Sequence, residues 1–392
     1  MKVLRPDYYE EFECIADKCP FTCCQEWKIG VDEVTYNRWK TKQIPNETIV
    51  RNNIIEDTLD KYVKYEDGDQ SISLCSNGLC PYLNENSLCD IVLTYGEDEI
   101  STTCHTYPRE EHKYKDYRED TLAIGCPAVL DLIWKQKDFK VTSFETNIDD
   151  KENNPSVDEE YVKLRDYLIN VFDESKSIEL NLKMLFYIML DCFDNESTDV
   201  RLYSNDFLCE LKEKIKEVSG DYEDTVVEQN ELFLDMVDNY RKKKLYLDII
   251  EPLSKLASEY EDEKSDELLA DRCEFDGYIN KKAFNDKSFS GLMNLLIKEE
   301  IYSTLYLPDG DLYSMTMKLQ WIAITYSVIL QALFLSWKLN GDLELEELKR
   351  IIVVVIRMTG YSEEDIEEYM EACFQDIIWE WGYMSLIMGQ NG

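Results

Sequence analysis

Cysteines crowd the start of this chain. Cys14, Cys19, Cys23 and Cys24 fall within eleven residues, and Cys75, Cys80, Cys89, Cys104 and Cys126 follow before residue 130. A free thiol oxidises and captures stray metal, so this crowding asks for one common explanation. Thiolates are soft ligands suited to zinc or to iron–sulfur centres, and a bound metal centre is the first candidate. Histidine is nearly absent, with only His105 and His112, which excludes a His-rich catalytic zinc site and leaves a centre ligated mostly by sulfur. The spacings match no familiar short template. There is no pair of C-x2-C knuckles, and Glu26 stands where a C-x3-C-x2-C radical-SAM signature would need its third cysteine. A single centre takes four ligands, so the thiols allow two centres, or one centre with structural thiols beside it. The plain alternative is a structural metal that holds a loop-rich domain together. Zinc and iron–sulfur both stay open at this point.

The neighbours of these cysteines are also patterned. Cys19-Pro20, Cys80-Pro81 and Cys126-Pro127 are each Cys-Pro. Proline fixes its own backbone and presses the preceding residue toward extended geometry, which suits ligands held on rigid turns. Tyr107-Pro108-Arg109 follows Cys104. A guanidinium there can pair with a ligand carboxylate or brace an acidic neighbour. Trp27, just past the double cysteine, offers apolar surface to cap a cluster.

Other chemistries lack their motifs. No G-x-G-x-x-G, no G-x-x-x-x-G-K-[ST] and no G-x-S-x-G occurs. The formal net charge of -39 argues against general nucleic-acid binding, which needs clustered Lys and Arg, and fits a basic partner or an exposed lysine. The opening MKVLRPDYYEEFEC has no apolar h-region. A cytoplasmic, reducing location without structural disulfides is expected. Leu319–Trp337 carries no charge across 19 residues, but its Gln, Ser, Thr and Tyr residues and the lack of a flanking Lys/Arg cluster make it a buried core helix rather than a membrane span.

The elements that must position these residues divide in two. The fold class expected is mainly α, with an irregular cysteine-rich metal-binding domain over 1–141, a polar linker over 142–155 and an all-α helical domain over 156–392. In the first part, 31–42 and 46–65 read as helices, 71–74 and 87–95 as short strands, and 122–136 turns helical after Pro127. Ser156 with Glu159 reads as a capping box. Helices are expected at 178–195, 205–218, 223–262, 280–302, 314–339, 342–358 and 362–385. Cys192, Cys209, Cys273 and Cys373 are scattered and read as packing residues.

Four blocks in order, FECIADKCPFTCCQEWKIGVD, GLCPYLNENSLCDI, CHTYPRE and GCPAVLDLI, resemble the flagellin lysine N-methylase family, whose members carry a zinc/iron-chelating cysteine cluster. The resemblance covers about residues 6–133; the rest is similar only in length and helical character. It implies methyl transfer from S-adenosylmethionine to lysines of flagellin. It also implies a cysteine-bound iron–sulfur centre, 4Fe-4S in type, with zinc as the alternative metal. Cys14, Cys19, Cys23 and Cys24 match the first block, Cys80 and Cys89 the second, Cys104 the third and Cys126 the fourth. Arg109 stands in the family's Tyr-Pro-Arg and is the residue expected to touch cofactor. Cys75 has no counterpart. Neither a nucleic-acid nor a membrane partner is expected, and the catalytic base and oligomeric state are not legible. Two rivals stand beside the enzyme: a non-catalytic metal-binding module that recognises flagellin or another partner, and an iron–sulfur redox protein.

Overall fold

A computed structural model describes residues 1–392 except 26, 55–56, 67, 116, 147–157, 174, 219, 241–245, 263–264, 309, 361 and 391–392. The chain opens with strand β1 (Lys2–Pro6), then helices α1 (Glu33–Trp39) and α2 (Asn46–Asn52), the hairpin β2 (Val63–Glu66) and β3 (Asp69–Ile72), and helices α3 (Asp90–Tyr95) and α4 (Thr102–Thr106). Strands β4 (Arg109–Lys113) and β5 (Tyr117–Leu122), helix α5 (Pro127–Lys135) and strand β6 (Val141–Glu145) follow. The remainder is helical: α6 (Glu159–Val171), α7 (Ile178–Asp194), α8 (Asn205–Glu217), α9 (Tyr222–Tyr240), α10 (Leu247–Asp262) and α11 (Ser265–Ile279). A two-residue hairpin, β7 (Ala283–Phe284) and β8 (Lys287–Ser288), precedes α12 (Phe289–Thr304), α13 (Leu312–Asn340), α14 (Leu345–Met358), α15 (Glu363–Cys373) and α16 (Trp381–Met388). The protein is thus mainly helical with a small sheet.

That sheet is where the N-terminal part departs from the irregular structure expected. Its order is β4-β5-β1-β6. Strand β1 runs parallel to β5 and antiparallel to β6, while β4 and β5 form an antiparallel pair. Residues 142–145, expected as polar linker, form most of β6. The alternation in VTSFE lets Phe144 lie under the Arg5 guanidinium, 4.2 Å from its ring centre. The proposed cap Ser156 lies outside the described residues; Asp158 accepts the capping bond from the Glu160 amide instead.

Other differences have local causes. Over 46–65 only the first seven residues are helical, because Asn53 turns left-handed at φ 51° and ends α2. Residues 90–95 are helix rather than strand. Buried Asp90 at the first turn accepts from Thr48 Oγ1 at 2.6 Å and pairs with Arg51 at 2.7 Å. The span 280–302 begins as a hairpin, since Asn285 takes φ 58°. In the final span Gln375 at φ 52° divides α15 from a short 3-10 turn and α16. Helix α11 had no sequence expectation.

Two apolar clusters form. The larger joins Tyr8, Phe12 and Phe21 to α5 and to the helices up to Met388, around α13. The smaller gathers Ile29, Val31, Trp39, Ile44, Leu59, Ile72, Cys80, Tyr82 and Ile91. In α13, 94 % of the most apolar window is buried within the protein. Its polar groups are answered by neighbouring helices: Gln320 donates to Ile378 O at 2.9 Å, Ser327 to Ile387 O at 2.8 Å and Gln331 to Asn230 Oδ1 at 2.8 Å. This is the packing of a core helix.

Candidate functional site: a thiol cluster beside a cavity

The first cysteine loop is fixed from several directions. Cys80 N–H donates to Cys24 O at 2.8 Å, and Gln25 bridges Leu79, so the first and second cysteine blocks lie side by side. Trp27 Nε1 donates to Cys23 O at 2.7 Å and its ring packs on Tyr107, 5.1 Å between centres. Cys89 and Cys126 sit at the N-cap positions of α3 and α5. Cys104 rides the first turn of α4.

Cys23 is the hub of this arrangement. Cys19, Cys24, Cys89, Cys104 and Cys126 are each close enough to exchange an electrostatic influence with it. Cys14 neighbours Cys19, and Cys80 neighbours Cys89, Cys104 and Cys75. The structure therefore draws all eight singled-out thiols into one chain of neighbours, with Cys75 at its margin. No cysteine is in a disulfide. Burial raises Cys19, Cys80 and Cys89 above the ordinary thiol range. Hydrogen bonding to Cys24, and then burial, push Cys23 far up; burial pushes Cys104 and Cys126 to about 11.

Among the described residues, no three of His, Cys, Asp and Glu surround a common point as a single ion would require. Four thiolates on one tetrahedral zinc, at about 2.3 Å from the metal, lie within about 4 Å of one another. A polynuclear cluster bonds each thiolate to a different metal atom and needs a wider cage. The donor set is all sulfur, which suits zinc and an iron–sulfur cluster alike.

Arg357, in the last turn of α14, ties this loop region to the helical body. Its Nε donates to Gly125 O at 2.9 Å, Nη1 to Thr22 O at 2.9 Å and Tyr246 Oη at 2.7 Å, and Nη2 to Phe21 O at 3.0 Å. One guanidinium so fixes the loops before Cys23 and before Cys126, and its charge draws Cys19 and Cys23 down against the effects that raise them. Arg109 is placed differently. It donates to Phe12 O at 3.1 Å and lies over the rings of Phe12 and Tyr9, and it does not line the cavity described next.

Cys23, Gln25, Trp27 and Tyr107 form one wall of a cavity of about 560 Å³. The opposite walls come from α12, α13 and the ends of α14 and α15, with Met293, Leu296, Ile297, Trp321 and Ile322 supplying apolar surface. Three carboxylates also line it: Glu110 of β4, Glu300 of α12 and Glu363 of α15, the last paired with Lys318. Glu110 is exposed on edge strand β4 and lines the cavity wall. Burial raises Glu110, and burial followed by the charge of Glu110 pushes Glu300 up to about 7. A buried acid near neutrality can take a proton and release it again, which is what general base chemistry needs. Sequence reasoning missed both residues. The available signal was Glu299-Glu300, adjacent acids in the apolar run LMNLLIKEEIYSTLY.

The flagellar biosynthetic protein FliU of Salmonella muenchen is 33 % identical to this chain over 137 residues, a stretch covering 35 % of this chain and 79 % of FliU. The chain belongs to the flagellin lysine N-methylase family. Lysine-N-methylases of Salmonella typhimurium and Salmonella choleraesuis are each 32 % identical to it over 147 residues. Those matches cover 37 % of this family member and only 36 % of each lysine-N-methylase. No family profile matches, and no solved structure matches. Family membership thus rests on about a third of the chain.

Proposed function

We propose that this protein transfers methyl groups from S-adenosylmethionine to lysine ε-amines of flagellin, inside the cell. An iron–sulfur centre is held by cysteines drawn from Cys14, Cys19, Cys23, Cys24, Cys80, Cys89, Cys104 and Cys126. Residues 1–141 carry that centre and residues 156–392 supply the helical body. The observation that carries the reading is that Cys23, hub of the thiol chain, opens onto a cavity large enough for a small-molecule ligand. When bound, a cluster with an open iron supplies a chelating position for the amino-acid end of the methyl donor. The chain's own residues shape the rest. Trp27 and Tyr107 present aromatic faces, which favour a sulfonium cation. The apolar walls exclude water from the reacting amine. Arg109 enters as the brace of Phe12, two residues before Cys14.

The test is anaerobic reconstitution with iron and sulfide, followed by labelled S-adenosylmethionine and flagellin. Label on lysine is the expected result. An intact cluster with no transfer overturns the enzyme and leaves a partner-recognition module. A reversible redox couple in its place favours the electron-transfer rival. A brown protein with broad visible absorbance, against a colourless one, separates iron–sulfur from zinc.

A further inference from the structure

We infer that Glu110 and Glu300 together form the seat of the substrate ε-amine, and that Glu300 takes its proton. This rests on the methyltransferase reading and assigns the one group that reading leaves unnamed. The two carboxylates reach the cavity from different elements, a strand and a helix. Neither side chain has a hydrogen bond or ion pair among the described residues. The cations at the same cavity already have partners. Lys318 Nζ lies 2.7 Å from Glu363, and the Arg357 guanidinium is shared among three carbonyls and Tyr246. Tyr107 and Tyr326 on the walls are held in their neutral forms, each far above its ordinary range. Among the described residues, Glu110 and Glu300 are left at the cavity with no cation to match them.

Its complement is a cation on an apolar stem. Met293, Leu296, Ile297 and Ile322 suit four methylenes, and exposed Ser362 and Glu363 mark a side open to a protein-borne side chain. The sulfonium of the donor is the competing source of positive charge. It has no N–H to give, whereas an ammonium must lose a proton before it can react, and a buried carboxyl near neutrality is suited to receive one. In the step, an ammonium N–H proton passes to a Glu300 oxygen. The freed nitrogen lone pair attacks the methyl carbon, and the carbon–sulfur bond breaks with its electron pair returning to sulfur. The proton then leaves Glu300 for water.

Calorimetry with n-butylammonium chloride tests the seat without flagellin, with S-adenosylmethionine titrated in parallel. Glu300→Gln, close in shape, should weaken butylammonium binding about tenfold or more and leave donor binding unchanged, with Glu110→Gln acting in the same direction. Unchanged butylammonium affinity in a folded Glu300→Gln protein overturns the inference, as does a loss confined to the donor. In flagellin methylation, the rate limb rising through about pH 7 should vanish in Glu300→Gln and persist in Glu300→Asp. Wild-type rates in Glu300→Gln would sink the inference while the methylase reading stood. Glu300-dependent amine binding without any methylation would do the reverse.

Discussion

Arg357 and the cysteines act at the scale of single side chains. Among the described residues, three backbone carbonyls and the Tyr246 hydroxyl converge on one guanidinium. Truncation leaves buried carbonyls of two cysteine loops without a donor. Arg357→Met should therefore cost about 2–4 kcal/mol, read as a fall in the urea midpoint, and should lower iron retained after reconstitution. Arg357→Lys keeps the charge but loses the planar fork, so it should recover only part of both. Cys24 lies beside the hub and its carbonyl anchors Cys80. Cys24→Ser should lower iron content and methyl transfer together, and unchanged iron by metal analysis would remove it from the ligand set. The cysteines were legible in the sequence because crowded thiols have few explanations. Arg357 was not, because three of its partners are backbone carbonyls more than two hundred residues away, and a carbonyl carries no sequence signal.

At the scale of elements, the sheet meets the helical body through one buried pair. Arg165 of α6 grips Glu119 of β5 with two bonds of 2.7 and 2.8 Å, and both side chains are 1 % exposed. Removing the cation strands a carboxylate inside the protein. Arg165→Met should destabilise by about 3–5 kcal/mol in chemical unfolding, and adding Glu119→Gln should restore part of that loss. The long helices were readable from periodicity: 178–195, 205–218 and 314–339 are found within two residues of the expected bounds. The sheet was not. Its strands β1 and β5 are separated by over a hundred residues and are partners only in space, so the alternation within each short strand is too brief to show. The acidic seat was hidden similarly, since Glu110 reads as one acid among many until β4 faces α12.

For the molecule as a whole, acidity and stability are linked. Burial, ahead of other effects, raises Glu299 from 4.5 to about 8 and Glu300 to about 7. The folded state holds these protons more tightly than the unfolded chain. Their contribution is full below about pH 4.5 and is lost as pH rises through 7 to 8. Asp173 and Asp342 act oppositely. Hydrogen bonds from Ser175 and from Lys282 lower each to about 2, so their contribution is present above 3.8 and lost below. Among these groups, stability should peak in mild acid. The melting temperature should fall between about pH 5 and pH 8, and Glu299→Gln should flatten that slope. A melting temperature that climbs over the same interval would contradict this account.

The pairing of β1 with β5 and β6 has a consequence for how the protein is made. Lys2–Leu4 leave the ribosome more than a hundred residues ahead of their partners Tyr117–Glu119 and Val141–Glu145. All eight thiols are already synthesised by the time β6 can dock on β1. Until then the two ends of the cysteine-bearing excursion are not held together, and Arg357, near the carboxyl end, has not been translated at all. The cysteine loops therefore reach their final order only after β6, and then Arg357, have been made.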